Sequence, residues 1–333
     1  MAANDSLRTG PEASEMTPAR PLWHVVFVRP ETMTFVLLIA GVVGASFLSP
    51  FFLDASYILR SFTLSAEIGI AALVLTLVIV SGEIDLSAAA NMALSASLFA
   101  FAQQAGVPMP LAIVIGLLAG LAMGAFNAFM VIRLELPSII VTIGTLIFYR
   151  GLAQVIAGDR SIRVPEWFIG VNNVMVFGVP LPVIIFILMS IVLAIVLGMT
   201  VYGRQIYQIG TNQVAARHAG IKVNRIKVGL FLLLGFVSAV GGLMTASRLG
   251  SVRYDIALGG ELQMVLMVML GGTFIFGGRG TILGTFLAAW LLVIVSTGMT
   301  VANLLPAIQL TVLGILLIVA IIATNYIYSR TQR

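Results

Sequence analysis

The chain contains no cysteine and only two histidines, His24 and His218. The first absence excludes disulfides, thiolate metal sites and cysteine nucleophiles. The second leaves too few imidazoles, too far apart, for a histidine-based metal site. Charge is scarce as well: 9% of residues are charged and 60% hydrophobic, with a mean hydropathy of +1.10, whereas soluble domains carry about 25% charged residues. No GxxxxGK[ST] pattern occurs, so the chain is not expected to hydrolyse nucleotide itself. No signal peptide is evident either. Residues 1–29 are polar and of mixed charge, too long before the first apolar run and without a clear small-residue cleavage site. They are expected to form a disordered cytoplasmic tail kept in the mature chain.

What the chain has in abundance is continuous apolar runs of about twenty residues, the length that spans a bilayer as a helix. A transmembrane barrel would instead alternate over segments of about ten. The expected fold is therefore all-α, a polytopic transmembrane helical bundle. Its apolar windows are 33–49, 61–81, 86–104, 110–132, 138–157, 179–202, 228–248, 262–277, 281–299 and 304–326. One or two helices are expected to be broken or re-entrant, around Gly82 and Gly278. The transmembrane domain covers 30–329, and 330–333 is a short basic C-terminal tail. With the N-terminus inside, twelve of the eighteen basic residues fall in cytoplasmic segments and six on the other side. That bias places both termini inside, and it accounts for the net charge of +5 without invoking nucleic acid.

The longest polar run inside this chain is 203–227, with Arg204, Arg217, Lys222, Arg225 and Lys227 and no acidic residue. It reads as a cytoplasmic loop. Thr211 or Asn212 can cap a short helix through Val214–Arg217, and Gly220 supplies its stop. A helix of about eight residues is marginal alone in water. It is either a turn within a polar connector or an element that docks onto a partner, and the second reading is preferred.

The chemistry concentrates at Ser81-Gly82-Glu83-Ile84-Asp85-Leu86-Ser87 and at Asn91. A carboxylate at the bilayer centre costs about 2.5–3.5 kcal/mol, so Glu83 and Asp85 need a polar cavity or an interface. Gly82 breaks the helix, and Asp85 or Ser87 can cap the next one. This is either a cytoplasmic turn with a capping aspartate or the polar end of a broken helix facing a solute cavity. Gly116, Gly120 and Gly124 recur every fourth residue, a packing stripe, and Asn127 lies nearly on their face. Thr142 and Thr145 follow Pro137; they either face the interior or bond their own helix carbonyls. A second glycine-dense stretch, Leu270–Thr273 and Gly277–Thr285, echoes the position of 81–87. The outer loop 158–179 carries Asp159, Arg160, Arg163 and Glu166, either a solvated face or a docking surface.

Together these stretches resemble the permease subunits of ribose-type ATP-binding-cassette sugar importers, with rhamnose and autoinducer-sugar permeases the nearest in kind. The residues that carry the resemblance are Gly82–Ser87, Gly124–Asn127 through Pro137-Ser138, Thr142–Leu146 with Arg150-Gly151, Gly210–Ala216 with Gly220-Ile221, and Leu270-Gly271-Gly272 through Gly284-Thr285. One departure is Ala88-Ala89-Ala90, where the family often has glycine. The resemblance implies a bacterial inner-membrane complex of two permeases, alike or related, two cytoplasmic ATPase subunits that use ATP and magnesium, and a periplasmic sugar-binding protein. It also implies that Glu83, Asp85, Ser87, Asn91, Asn127, Thr142 and Thr145 line or shape the pathway. Gly210, Asn212, Ala215, Ala216, Arg217, Gly220 and Ile221 would couple to the ATPase, and Asp159, Arg160, Arg163 and Glu166 would dock the binding protein. No residue is assigned to catalysis or to a metal. The main rival is an ion-coupled transporter using Glu83 or Asp85. A membrane-embedded hydrolase is disfavoured, because carboxylates two residues apart on a helix face different ways.

Overall fold

The computed structural model describes residues 30–48, 52 and 54–331. The expected tail at 1–29 and the last two residues of the basic C-terminus lie outside the described residues. Within them the chain forms α1 (Pro30–Leu48), α2 (Ala55–Val80), α3 (Ala88–Gln104), α4 (Met109–Ala128), α5 (Ser138–Ala157), α6 (Glu166–Asn172) and α7 (Leu181–Met199). There follow α8 (Val201–Thr211), α9 (Gln213–His218), α10 (Val223–Leu249), α11 (Gly260–Leu270), α12 (Ile282–Val301) and α13 (Pro306–Thr331). Seven are long and apolar enough to cross a membrane: α2, α4 with its π-helical extension Phe129–Arg133, α5, α7, α10, α12 and α13. The all-α polytopic bundle is thus the observed fold.

Helices occupy all ten apolar windows, but three boundaries differ from expectation for physical reasons. The window 262–277 is helical only to Leu270, because Gly271-Gly272 turns the chain; Gly272 has φ +83°. At 1.5 Å per residue α11 reaches about 16 Å, roughly half the hydrocarbon core. The window 179–202 is cut at Thr200, whose extended backbone ends α7 and whose side chain accepts from Gly203 N at 3.1 Å to start α8. The run 203–227 is consequently not a loop with one helical turn. It holds two helices, α8 and α9, and α10 already begins at Val223. Polar residues on one face of α8 hide its helix from a hydropathy window, while Ile206 and Ile209 bury its other face in the main core.

Two helices form the spine. α2 is continuously buried from Ile70 to Val80, and α10 lies between α2, α3 and α4. The α4 stripe lets α10 approach backbone to backbone: a Cβ at Gly120 would overlap the Gly235 carbonyl and Ala239, and one at Gly124 the Phe231 carbonyl. Close approach of this kind gives lipid-embedded helices their dispersion contacts. Met264, Met267 and Met269 of α11 are buried packing residues.

Both described ends reach the same part of the bundle. Thr34 Oγ1 of α1 donates to Leu270 O at 2.6 Å, and Thr324 Oγ1 of α13 to Met269 O at 3.2 Å. The far end is tied by a two-stranded ribbon in which β1 (Ile162–Arg163) runs antiparallel to β4, residues Ser251–Val252, pairing Ile162 with Val252. A small hairpin is formed by β2 (Met175–Val176) and β3 (Val179–Pro180), so the segment 158–179 is largely structured.

Candidate functional site

α2 ends at Ser81-Gly82, and the chain stays non-helical until α3 begins at Ala88. In that gap Asp85 is 3% exposed. Its Oδ1 accepts from Ser87 N at 2.8 Å and Ser87 Oγ at 2.7 Å. Asn127 Nδ2 of α4 donates to Asp85 Oδ2 at 3.2 Å and to Ser87 Oγ at 2.8 Å. The Tyr149 hydroxyl of α5 lies 3.0 Å from both Asn127 Oδ1 and the Met123 carbonyl. Ser87 occupies the N-cap position of α3 without a side-chain cap bond; Asp85, two residues earlier, accepts its N–H instead.

α5 holds the same loop by its backbone. Ile84 N–H donates to Ser138 Oγ at 3.2 Å, and Thr142 Oγ1 donates to Ile84 O at 3.2 Å. Asn91 stands nearby, its Nδ2 donating to Gly120 O at 3.3 Å and its Oδ1 accepting from Ser95 Oγ at 3.1 Å. Thr145 is buried and bonds its own helix, donating to Thr142 O at 3.4 Å. The structure therefore brings Asp85, Ser87, Asn127 and Thr142 onto one loop, places Asn91 beside it, and leaves Thr145 as a self-bonded helix residue. Every one of these side chains is buried, and their hydrogen bonds weld α3, α4 and α5 together.

The second glycine stretch meets this loop directly. Gly278 N–H donates to Val80 O at 2.8 Å. Gly277, with φ +86°, lies so close to Gly82 that a Cβ would stand 2.8 Å from its N and Cα. A Cβ on Gly210, near the end of α8, would overlap the Val80 carbonyl and Gly278 N. The Tyr207 hydroxyl of α8 donates to Gly280 O at 2.6 Å. Burial pushes that phenol above its ordinary range, and the nearby Glu31 carboxylate pushes it the same way, so it keeps the proton it donates.

α9 follows immediately. Asn212, rather than Thr211, caps it, accepting from Ala215 N at 3.0 Å. Gly220, with φ +81°, turns the chain after it. Ala216 faces inward and packs in the main core, while Val214, Ala215 and Arg217 are exposed and Ile221 is half-buried. Behind α9, Lys227 Nζ of α10 forms an ion pair with Glu83 Oε1 and donates to Gln213 Oε1 at 2.6 Å. A cavity of about 550 Å³ opens there, its walls including Glu83, Glu135, Ser138, Gln213, Arg217 and Lys227. At the far end of the bundle Asp159, Arg160, Arg163 and Glu166 are exposed. Near them Arg150 Nη1 donates to the carbonyls of Tyr254 (3.0 Å) and Ile256 (2.7 Å), and Nη2 lies 3.9 Å from Glu261 Oε2.

Sequence reasoning did not single out Ser138, Tyr149, Gln213 or Lys227 as site residues. Lys227 left a trace: it is the last cation before the apolar run of α10, and in the folded chain it is buried. Ser138 left another, as the first helical residue after Pro137. Nothing in the spacing marks Tyr149 or Gln213.

The family described as branched-chain amino acid transport system / permease component matches residues 57–321. The chain is also 34% identical over 303 residues to the autoinducer 2 import system permease protein LsrD of Escherichia coli O9:H4 (strain HS), covering 89% of this chain and 92% of the relative. The LsrD proteins of Shigella flexneri and Escherichia coli O157:H7 match with the same identity and coverage. No solved structure matches the chain. The chain therefore belongs to this family of transport-system permeases and is the membrane subunit of an ATP-driven importer, not an ion-coupled transporter.

Proposed function

We propose that this permease carries a monosaccharide or a similarly small, hydroxyl-rich solute. It would work as one of two permeases, with two cytoplasmic ATPase subunits hydrolysing ATP with magnesium and a periplasmic binding protein delivering the cargo. α9 docks on the ATPase through its exposed face, and Asp159, Arg160, Arg163 and Glu166 receive the binding protein. Both termini then lie in the cytoplasm of a bacterium, with the bundle in its inner membrane.

The observation that carries this reading is the packing of α8 against the end of α2 at Val80–Gly82, together with the link from α9 through Lys227 to Glu83 of the polar loop. A solvent-exposed capped helix is thereby joined to a cluster of carboxylate, amide and hydroxyl groups within a bundle of apolar helices. Such groups suit sugar hydroxyls, which both donate and accept. Glu83 and Ser138 line the cavity behind α9; Asp85, Ser87, Asn91, Asn127, Thr142 and Thr145 are buried outside its lining, and in this reading they shape the pathway in another state of the transport cycle. Affinity is expected to be low, because a permease must release what it holds in one of its two states.

The test is purification from native membranes in mild detergent, followed by uptake into proteoliposomes. Co-purification of a stoichiometric ATPase and ATP-dependent uptake of rhamnose or of autoinducer 2, with no uptake of leucine, supports the reading. ATP-dependent uptake of leucine alone would overturn the sugar assignment.

A further inference from the structure

Lys227 stands apart from the other basic residues of 203–227. Its side chain is 5% exposed, in the second turn of α10, and its ammonium is held from two directions. On one side is Glu83, in the loop that also carries Asp85 and Ser87. On the other is Gln213, the first residue of α9. The cavity behind α9 separates that helix from the turn at 131–138, so on this flank the Lys227 bridge is a polar tie between α9 and the loop.

A buried ammonium cannot let one partner go without cost. Removing one side of a buried ion pair leaves an uncompensated charge, which is strongly destabilising. Displacing α9 while keeping both bonds must therefore move Glu83, and with it the non-helical segment 83–87. That segment has no internal helix to absorb the shift. Its other anchors, Ser138 and Thr142 on Ile84 and Asn127 on Asp85, are hydrogen bonds to three positions on two neighbouring helices.

Building on the importer reading above, we propose that Lys227 is the positioning residue that conveys displacement of α9 by the ATPase to the loop 81–87, through Gln213 on one side and Glu83 on the other. It does not touch cargo. Its role is mechanical, and the two arms of the bridge are separable.

The test uses the complex co-purified with its ATPase and reconstituted in liposomes. Because the chain has no cysteine, Ile84→Cys supplies a single thiol in the loop. Maleimide labelling of it is compared without nucleotide and after trapping with ATP, magnesium and vanadate. In the parent, trapping is expected to change the labelling rate by about fivefold or more, the scale of a typical coupling between sites. In Lys227→Met and in Gln213→Leu the ATPase still binds and hydrolyses ATP, yet the labelling rate changes by less than about twofold. Gln213→Leu matters because it leaves the Lys227–Glu83 pair intact and so folds even where Lys227→Met does not. A full labelling response in folded Gln213→Leu would overturn the proposal. A parent complex without an ATPase would instead overturn the importer assembly on which it rests.

Discussion

Replacing Asp85 with asparagine changes one atom of the buried cluster and reverses its hydrogen-bonding sense. In the native chain Asp85 Oδ1 accepts both bonds from Ser87, at 2.8 and 2.7 Å, and the variant keeps them if its amide presents the oxygen there. The new NH₂ then faces Asn127 Nδ2, which now donates to Asp85 Oδ2 at 3.2 Å. Two donors oppose each other. Rotating the Asn127 amide relieves this, since the Tyr149 hydroxyl can accept the turned NH₂ while donating to Met123 O, but it sets the amide oxygen against Ser87 Oγ, whose proton already goes to residue 85. Leaving a buried donor unpaired costs ~1–3 kcal/mol, so Asp85→Asn is expected to destabilise by about that much. Asp85→Ala is worse, since it orphans three donors at ~1–3 kcal/mol for each one left buried. The reciprocal change, Asp85→Asn with Asn127→Asp, restores a donor facing an acceptor and leaves Tyr149 an oxygen to bond. It should recover ~0.5–3 kcal/mol relative to the sum of the singles. The assay is an SDS titration of the purified proteins in mixed micelles, with midpoints compared among the parent, both singles and the swap. A midpoint for Asp85→Asn equal to the parent's, or a swap no better than the sum of its singles, would refute this account of the cluster.

Gly210→Ala puts a Cβ into the Val80 carbonyl and Gly278 N, backbone on both sides; overpacking costs ~1–3 kcal/mol or more. A lower SDS midpoint, with α8 newly open to proteolysis, is the expected reading. Ala215→Trp, on the exposed face of α9, should abolish ATPase co-purification while leaving the midpoint unchanged. Ala216→Trp, buried in the core, should lower the midpoint itself; equal behaviour of the two would sink the assignment of faces. Ser138→Ala orphans the Ile84 N–H and should cost ~1–3 kcal/mol, read from the same titration.

The helical windows were legible because lipid imposes them: an apolar run of sufficient length has no other stable form in a bilayer. The glycine stripe of α4 was legible for a related reason, as its four-residue period is the period of a packed helix face. α8 was not, because its apolar face is only Gly203, Ile206 and Ile209, too sparse to lift a hydropathy average above the polar residues between them. The end of α11 was missed for the opposite cause: Phe274 to Phe276 kept the window apolar after the backbone had turned. At the candidate site the carboxylates announced themselves by being charged where charge is expensive. Two of the residues around them did not. Tyr149 and Ser138 are ordinary residues for a membrane helix, and only the fold places them against Asn127 and Ile84. Lys227 was counted among loop cations, because a string of letters does not distinguish a lysine at the bilayer surface from one buried beneath α9.

At the junction of Gly82, Gly210 and Gly277, main chain lies against main chain. A joint made this way passes on force but carries no chemical identity. It offers cargo nothing to recognise and offers mutation nothing to tune short of breaking it. Substitutions of side chains in the polar loop or on the exposed face of α9 therefore leave this backbone joint itself unchanged.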